Sequence, residues 1–255
     1  DTTAERFKER LQYTAENGKD YTYLLAIDPY LWYGFGKDYL ECKHTGCDLR
    51  EDGNYYNFRN GRYGRIRDVP YISRLGTWIY KLGNVFGNIP LMYGFFLIPI
   101  ILIGLSVIPA FFIGKKLGGN LGGFFAGMMI AVNSALLSRT PGGFSDTDSA
   151  NIIFPLFIMW FFLEAFYSKN WKKTSVYSIL GGLSFFLYSK FWRSYHIFDF
   201  IFAAVGIYFL IIILKRMMNK KLDIKSIFNK LKIPILKSGL FLFFALAGII
   251  AASGW

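Results

Sequence analysis

The chain has 255 residues, 53% of them apolar and 20% aromatic, and its 29 Lys and Arg against 17 Asp and Glu give a net charge of +12. This composition excludes a disordered chain, and the apolar residues fall in blocks of about 20, the length that crosses roughly 30 Å of hydrocarbon. The excess charge does not argue for nucleic acid: residues 1–89 hold 13 basic and 12 acidic side chains, and the other 16 basic and 5 acidic ones lie in short stretches between apolar blocks rather than on one folded face.

The pattern predicts an all-α polytopic membrane protein, with residues 1–89 as a long extracytoplasmic segment and 90–255 as a bundle. Residues 4–16 read as a weakly amphipathic helix, and 29–40 as a second, entered through Asp28 and Pro29 as N-cap and first helical residue. Cys42 and Cys47, in CKHTGC, favour a short disulfide if they face an oxidising exterior; a zinc site using His44 lacks further ligands, and free thiols are the remaining alternative. The run from Gly53 to Arg67 reads as loop. Residues 70–82 form a helix suited to the membrane interface, with Trp78 and Tyr80 at headgroup depth.

Six spans follow, at 91–114, 121–138, 149–167, 174–189, 195–214 and 234–253, some short and Gly-rich as close packing favours. Lys115 and Lys116, then Lys169, Lys172 and Lys173, then eight basic residues from Lys215 to Lys237 mark alternate connections as cytoplasmic. The loops around Arg139–Asp148 and Lys190–Tyr195 are then expected outside, together with residues 1–89. The sequence opens without methionine and stops directly after a span, so both ends read as cut from a longer chain.

Two stretches on that outer side carry chemistry. Asp28 lies in AIDPYLWYG, where an Asp before Pro is also an ordinary helix cap. The loop SRTPGGFSDTDSAN holds Arg139, Asp146 and Asp148; Ser145 and Asp148 are able to cap the next span, but capping accounts for one acid, not two and an arginine. Residues two apart on a helix do not face each other, yet at a cap or in an extended entry two carboxylates can converge on one ion. Their oxygens are hard ligands of the kind Mg²⁺ and Mn²⁺ prefer, with waters and substrate oxygens filling the shell. Arg139 offsets this negative charge, pairs with a carboxylate, or simply anchors a helix end at the interface. In KFWRSYHIF, Trp192, Arg193 and Tyr195 are belt residues or a cradle for a lipid phosphate. Glu164 is expected to snorkel or pair with Lys169, and His44 and His196 to be structural or exposed.

An external acid in DPYLWYG followed two spans later by SRTPGGFSDTDS resembles the catalytic subunit of oligosaccharyltransferase, in particular the archaeal AglB type. These membrane enzymes, of the GT-C glycosyltransferase type, move a glycan from a dolichyl-phosphate-type lipid-linked donor to Asn of an Asn-X-Ser/Thr sequon, with Mn²⁺ or Mg²⁺. The resemblance implies that Asp28 and Asp146 are metal ligands and catalytic, that Asp148 binds or supports the metal, and that Arg139 lies beside the cluster. It places Trp192 and Tyr195, with Arg193 between them, toward the donor's phosphates. It also implies partners: lipid-linked oligosaccharide, acceptor polypeptide and membrane lipids, but no nucleic acid. A first span, a later loop with a further catalytic Glu, and a C-terminal domain bearing WWDYG lie outside these residues, so the fragment alone is expected to be inactive. The rivals are another polyprenyl-phosphate-sugar-dependent glycosyltransferase and an ion transporter. The paired acids and Arg139 disfavour the first; acids at the outer ends rather than the midplane disfavour the second.

Overall fold

A computed structural model describes residues 3–57, 68–218 and 224–253; the second part of the expected Gly53–Arg67 loop and part of the basic tract at 215–237 lie outside the described residues. The chain divides into two units, Asp1–Leu105 with Met129–Ser149, and Ser106–Met128 with Ala150–Trp255.

In the first unit α1 (Thr3–Arg10) is shorter than the helix expected over 4–16, because Gln12–Thr14 (β1) instead pairs antiparallel with Asp20–Thr22 (β2). QYT and DYT supply β-favouring Tyr and Thr, and Gly18 takes a positive φ of 71° in the connecting turn. Next comes α2 (Ile27–Cys42), closed by Lys43 in the left-handed conformation at φ 68°. Cys42 and Cys47 form a disulfide with Cα atoms 5.5 Å apart, the favoured of the three alternatives. A two-residue hairpin, β3 (Asp48–Leu49) with β4 (Tyr55–Tyr56), follows, and His44 stacks on Tyr55, in keeping with a structural role. Helix α3 (Tyr71–Phe86) extends the helix expected over 70–82.

Helices α2 and α3 pack against each other around one ring from α4 (Leu91–Val132). Phe95 is fully buried, and a Cβ on either Gly36 of α2 or Gly76 of α3 would lie 2.5 Å from its ring. The two glycines are thus the slot that admits Phe95.

In the second unit α4 leaves helical geometry at Gly118 and Gly119, the latter with φ 66°. Its arms, the apolar segments expected at 91–114 and 121–138, fold back so closely that a Cβ on Gly114 would lie 2.4 Å from the Gly122 carbonyl. Residues from Met129 to Ser149 belong again to the first unit: the second arm ends at Val132, and the Asn133 side chain caps a short α5 (Ser134–Arg139) by accepting from the Leu136 N–H at 3.1 Å. Four helices complete the chain: α6 (Ala150–Tyr167), α7 (Trp171–Phe191), α8 (Tyr195–Met218) and α9 (Ile224–Ser253). Helix α7 packs against α6 and α9, and its Gly182 carbonyl would be 2.1 Å from a Cβ on Gly248 of α9. Ile158, Phe185, Ile201, Phe241 and Ala245 form the core between these helices.

Among the described residues four helical stretches are long and apolar enough to cross a membrane: Leu91–Arg139, which contains both arms of α4, Ala150–Tyr167, Tyr195–Lys215 and Leu231–Ser253. Helix α7, expected over 174–189, is not one of them. Beside Phe185 and Tyr188 it buries small and polar residues, Thr174, Ser178, Gly181, Gly182 and Ser184. Glu164 pairs with Lys116 at 2.9 Å rather than with Lys169.

Candidate functional site

The acid-bearing loop is held by carbonyls that α4 offers. Pro99 has no N–H, so the carbonyl four residues earlier, that of Phe95, lacks its helical donor. The Ser145 hydroxyl donates to it. Beside it the Phe96 carbonyl accepts from the Gly143 N–H at 3.0 Å, and the Gly143 carbonyl in turn accepts from the Leu25 N–H at 3.1 Å. Phe144 closes a turn by donating to the Pro141 carbonyl at 3.0 Å. Gly143, at the third position of that turn, has φ +88°, as a type II turn requires.

From Gly143 to Ser149 burial alternates: Gly143, Ser145, Thr147 and Ser149 are buried, whereas Asp146 and Asp148 are half-buried. The two acids therefore share the more open side, although Asp146 sits in a bend and Thr147–Ser149 in a turn at the entry to α6 rather than in extended chain. Asp146 Oδ1 accepts from the Thr147 N–H at 2.7 Å and from the Trp32 indole N–H at 3.2 Å. No partner meets its Oδ2 among the described residues. Burial pushes the Asp148 carboxyl above its ordinary pKa, and the charge of Asp146 adds to this; Arg139 acts in the opposite direction. The Arg139–Asp148 approach is long, 3.9 Å, and Arg139 is 69% exposed, so the pair balances charge more than it fixes geometry.

Asp28 lies exposed in the first turn of α2 with no hydrogen bond or ion pair among the described residues. It does not cap the helix: Ala26 is the N-cap, without a side-chain bond. Ser145, the other expected cap, spends its hydroxyl on Phe95. Trp32 follows Asp28 by one helical turn on the same face. Asp28 is thus bracketed in sequence by two residues tied to the acid loop, Leu25 through Gly143 and Trp32 through Asp146.

The structure brings Asp146, Asp148 and Arg139 together and tethers the Asp28 segment to them. Among the described residues no group of three or more His, Cys, Asp and Glu is placed to hold a metal. An open site with one or two carboxylates, completed by water and substrate oxygens, is nevertheless how Mg²⁺-type ions are often bound. Asp146 Oδ2 and the Asp28 carboxylate, neither with a partner among the described residues, are oxygens of the type such an ion takes.

The remaining candidates lie in the second unit, between α7 and α8. Trp192, Arg193 and Tyr195 are exposed and line a cavity of about 290 Å³ with Ser189, Ser194 and Ile249. Ser194 is buried, its hydroxyl sharing a hydrogen bond with that of Ser189.

Residues 3–254 match the family described as Oligosaccharyl transferase STT3, N-terminal. The chain belongs to this family. Among its STT3 relatives, the dolichyl-phosphooligosaccharide-protein glycotransferase of Methanococcus voltae is 30% identical over 209 residues, covering 77% of this chain and 22% of the relative. Its counterpart in Methanocaldococcus jannaschii is 27% identical over 173 residues, 65% of this chain and 18% of the relative. The undecaprenyl-diphosphooligosaccharide–protein glycotransferase of Campylobacter jejuni is 28% identical over 118 residues, 46% of this chain and 16% of the relative. The solved structure of archaeal AglB from Archaeoglobus fulgidus, in complex with an inhibitory peptide and a dolichol-phosphate, shares the fold, with TM-score 0.59 and 17% identity over 91% of this chain and 29% of that one. An A. fulgidus oligosaccharyltransferase complex with zinc and sulfate matches with TM-score 0.58. The chain therefore spans about a fifth of the length of the archaeal relatives it matches.

Sequence reasoning missed Trp32 and the two carbonyls that hold the loop. The spacing carried a signal for two of these three: Trp32 stands four residues after Asp28, and Pro99 four after Phe95, whereas nothing in the sequence marks the Phe96 carbonyl.

Proposed function

We propose that this STT3-family chain supplies part of an active site that transfers an oligosaccharide from a dolichyl-phosphate-type lipid-linked donor to Asn of an Asn-X-Ser/Thr sequon. The observation that carries this reading is the Trp32–Asp146 hydrogen bond, which joins the helix bearing Asp28 to the loop bearing Asp146 across 114 residues of sequence. The names of the relatives and the peptide and dolichol-phosphate of the AglB complex support the substrate classes.

In this reading the six apolar segments cross the membrane among its lipids, and the site lies on the extracytoplasmic side. Asp28 and Asp146 would hold Mn²⁺ or Mg²⁺ through carboxylate oxygens, with Asp148 in support and Arg139 limiting the surplus negative charge. When bound, the cation supplies Lewis acidity to the donor's phosphate oxygen. An amide nitrogen is a weak nucleophile because its lone pair is delocalised. Asp28 and Asp146 accept hydrogen bonds from the Asn carboxamide and loosen that conjugation. The nitrogen then bonds to the anomeric carbon and passes its proton to a site carboxylate and on to water, while the glycosidic C–O bond breaks and its electron pair leaves with the lipid phosphate. Trp192, Arg193 and Tyr195 hold the donor's phosphate, the guanidinium by charge-assisted hydrogen bonds.

The test uses the full-length enzyme with a labelled lipid-linked oligosaccharide and a sequon peptide. Asp28→Ala and Asp146→Ala abolish glycopeptide formation, and chelation of divalent ions does the same to the wild type. Full activity in either variant overturns the assignment.

A further inference from the structure

We propose that Trp32 is a positioning residue that decides which oxygen of Asp146 meets the cation. The inference rests on the reading just given. A carboxylate oxygen offers about two lone pairs in its plane. On Asp146 Oδ1 both are engaged, one by the Thr147 N–H at 2.7 Å and one by the Trp32 indole N–H at 3.2 Å. Oδ2 remains as the coordinating oxygen.

The indole suits this task because it donates and cannot accept: it neither binds the cation nor titrates. A histidine in its place would compete as a ligand. Trp32 is also fixed at its other end, where its backbone carbonyl accepts from the Ser73 hydroxyl of α3 at 2.9 Å, and its ring lies 6.2 Å from that of buried Phe35. Asp28 stands one turn away on the same face of α2. A single side chain therefore sets both the rotation of the Asp146 carboxylate and its register against Asp28. Outer groups that orient a ligand in this way alter metal affinity by about 10–100-fold when removed.

The experiment is a Mn²⁺ titration of the full-length protein, with free ion followed by electron paramagnetic resonance, alongside transfer assays at saturating Mn²⁺. Trp32→Phe keeps the ring and loses the donor. Incorporation of 3-benzothienylalanine at position 32 keeps the shape of the indole and replaces its N–H by sulfur, which guards against a packing defect. Both replacements weaken Mn²⁺ binding by about 10-fold or more, and excess Mn²⁺ restores most of kcat. Wild-type Mn²⁺ affinity in the benzothienyl protein overturns the proposal while leaving the functional reading in place, provided Asp146→Ala has lost both binding and transfer. Full transfer by Asp146→Ala overturns the functional reading and this inference with it.

Discussion

The ring of Phe95 stands where a side chain on Gly76 would project, its nearest carbon 2.5 Å from the position of that Cβ. Phe95 is fully buried, so the ring has no free space into which to withdraw. Gly76→Ala therefore overpacks the α2–α3–α4 junction and lowers stability by about 1–3 kcal/mol. Thermal unfolding in detergent checks this, and an unchanged midpoint would show that the slot is looser than described.

Gly143→Ala meets two obstacles at once. Its φ of +88° disfavours any Cβ, and the added carbon would lie 3.1 Å from the Phe96 ring and 3.2 Å from the Tyr23 carbonyl. Gly143 is three residues ahead of Asp146, so the loop moves at the carboxylate. Misplacement by about 1 Å can lower a rate by roughly 10²-fold. Transfer in the full-length enzyme should fall by about that factor while far-ultraviolet circular dichroism stays that of the wild type.

Tyr13 supplies a test free of the catalytic residues. Its hydroxyl is buried and meets no hydrogen-bond partner among the described residues, and burial, with nearby tyrosines, pushes its pKa from 10.0 to about 12. The fold thus favours the neutral phenol. Its contribution to stability is complete below pH 10 and is lost as pH rises toward about 12. Tyr13→Phe removes an unsatisfied donor, so it leaves stability near neutral pH unchanged or raises it by up to about 1 kcal/mol. Absorbance at 295 nm should show the most alkaline tyrosine step missing in the variant.

In the second unit Lys116 and Glu164 approach to 2.9 Å with side chains 31% and 24% exposed. A cycle of Lys116→Met, Glu164→Gln and the double variant should give a coupling of about 0.5–1 kcal/mol in thermal unfolding. Additive effects would show that the contact adds nothing to the fold.

The helical segments were legible because apolar blocks separated by KKLGGN, SKNWKK and the basic tract leave few alternatives for their placement. The short hairpin of β1 and β2 was not: three-residue strands carry too little alternation to outweigh the helical period of AERFKERLQ. The start of α2 shifted because Asp-Pro is the sequence of a cap, whereas Ala26 takes that position and leaves Asp28 inside the first turn. In the candidate site, both acid motifs stood out by residue type. What joins them did not, since an indole donor and two main-chain carbonyls are common groups whose meaning comes only from where the fold brings them. Glu164 shows the same limit, its partner Lys116 lying 48 residues away rather than in the adjoining loop as Lys169 does.

Among the described residues, the groups that secure the acid loop as set out above belong to the first 149 residues: Leu25, Trp32, Phe95, Phe96, Gly143 and Ser145. A nascent chain thus contains these partners before α6 to α9 have been translated. The order of synthesis therefore delivers these tethers of the loop ahead of the last four helices.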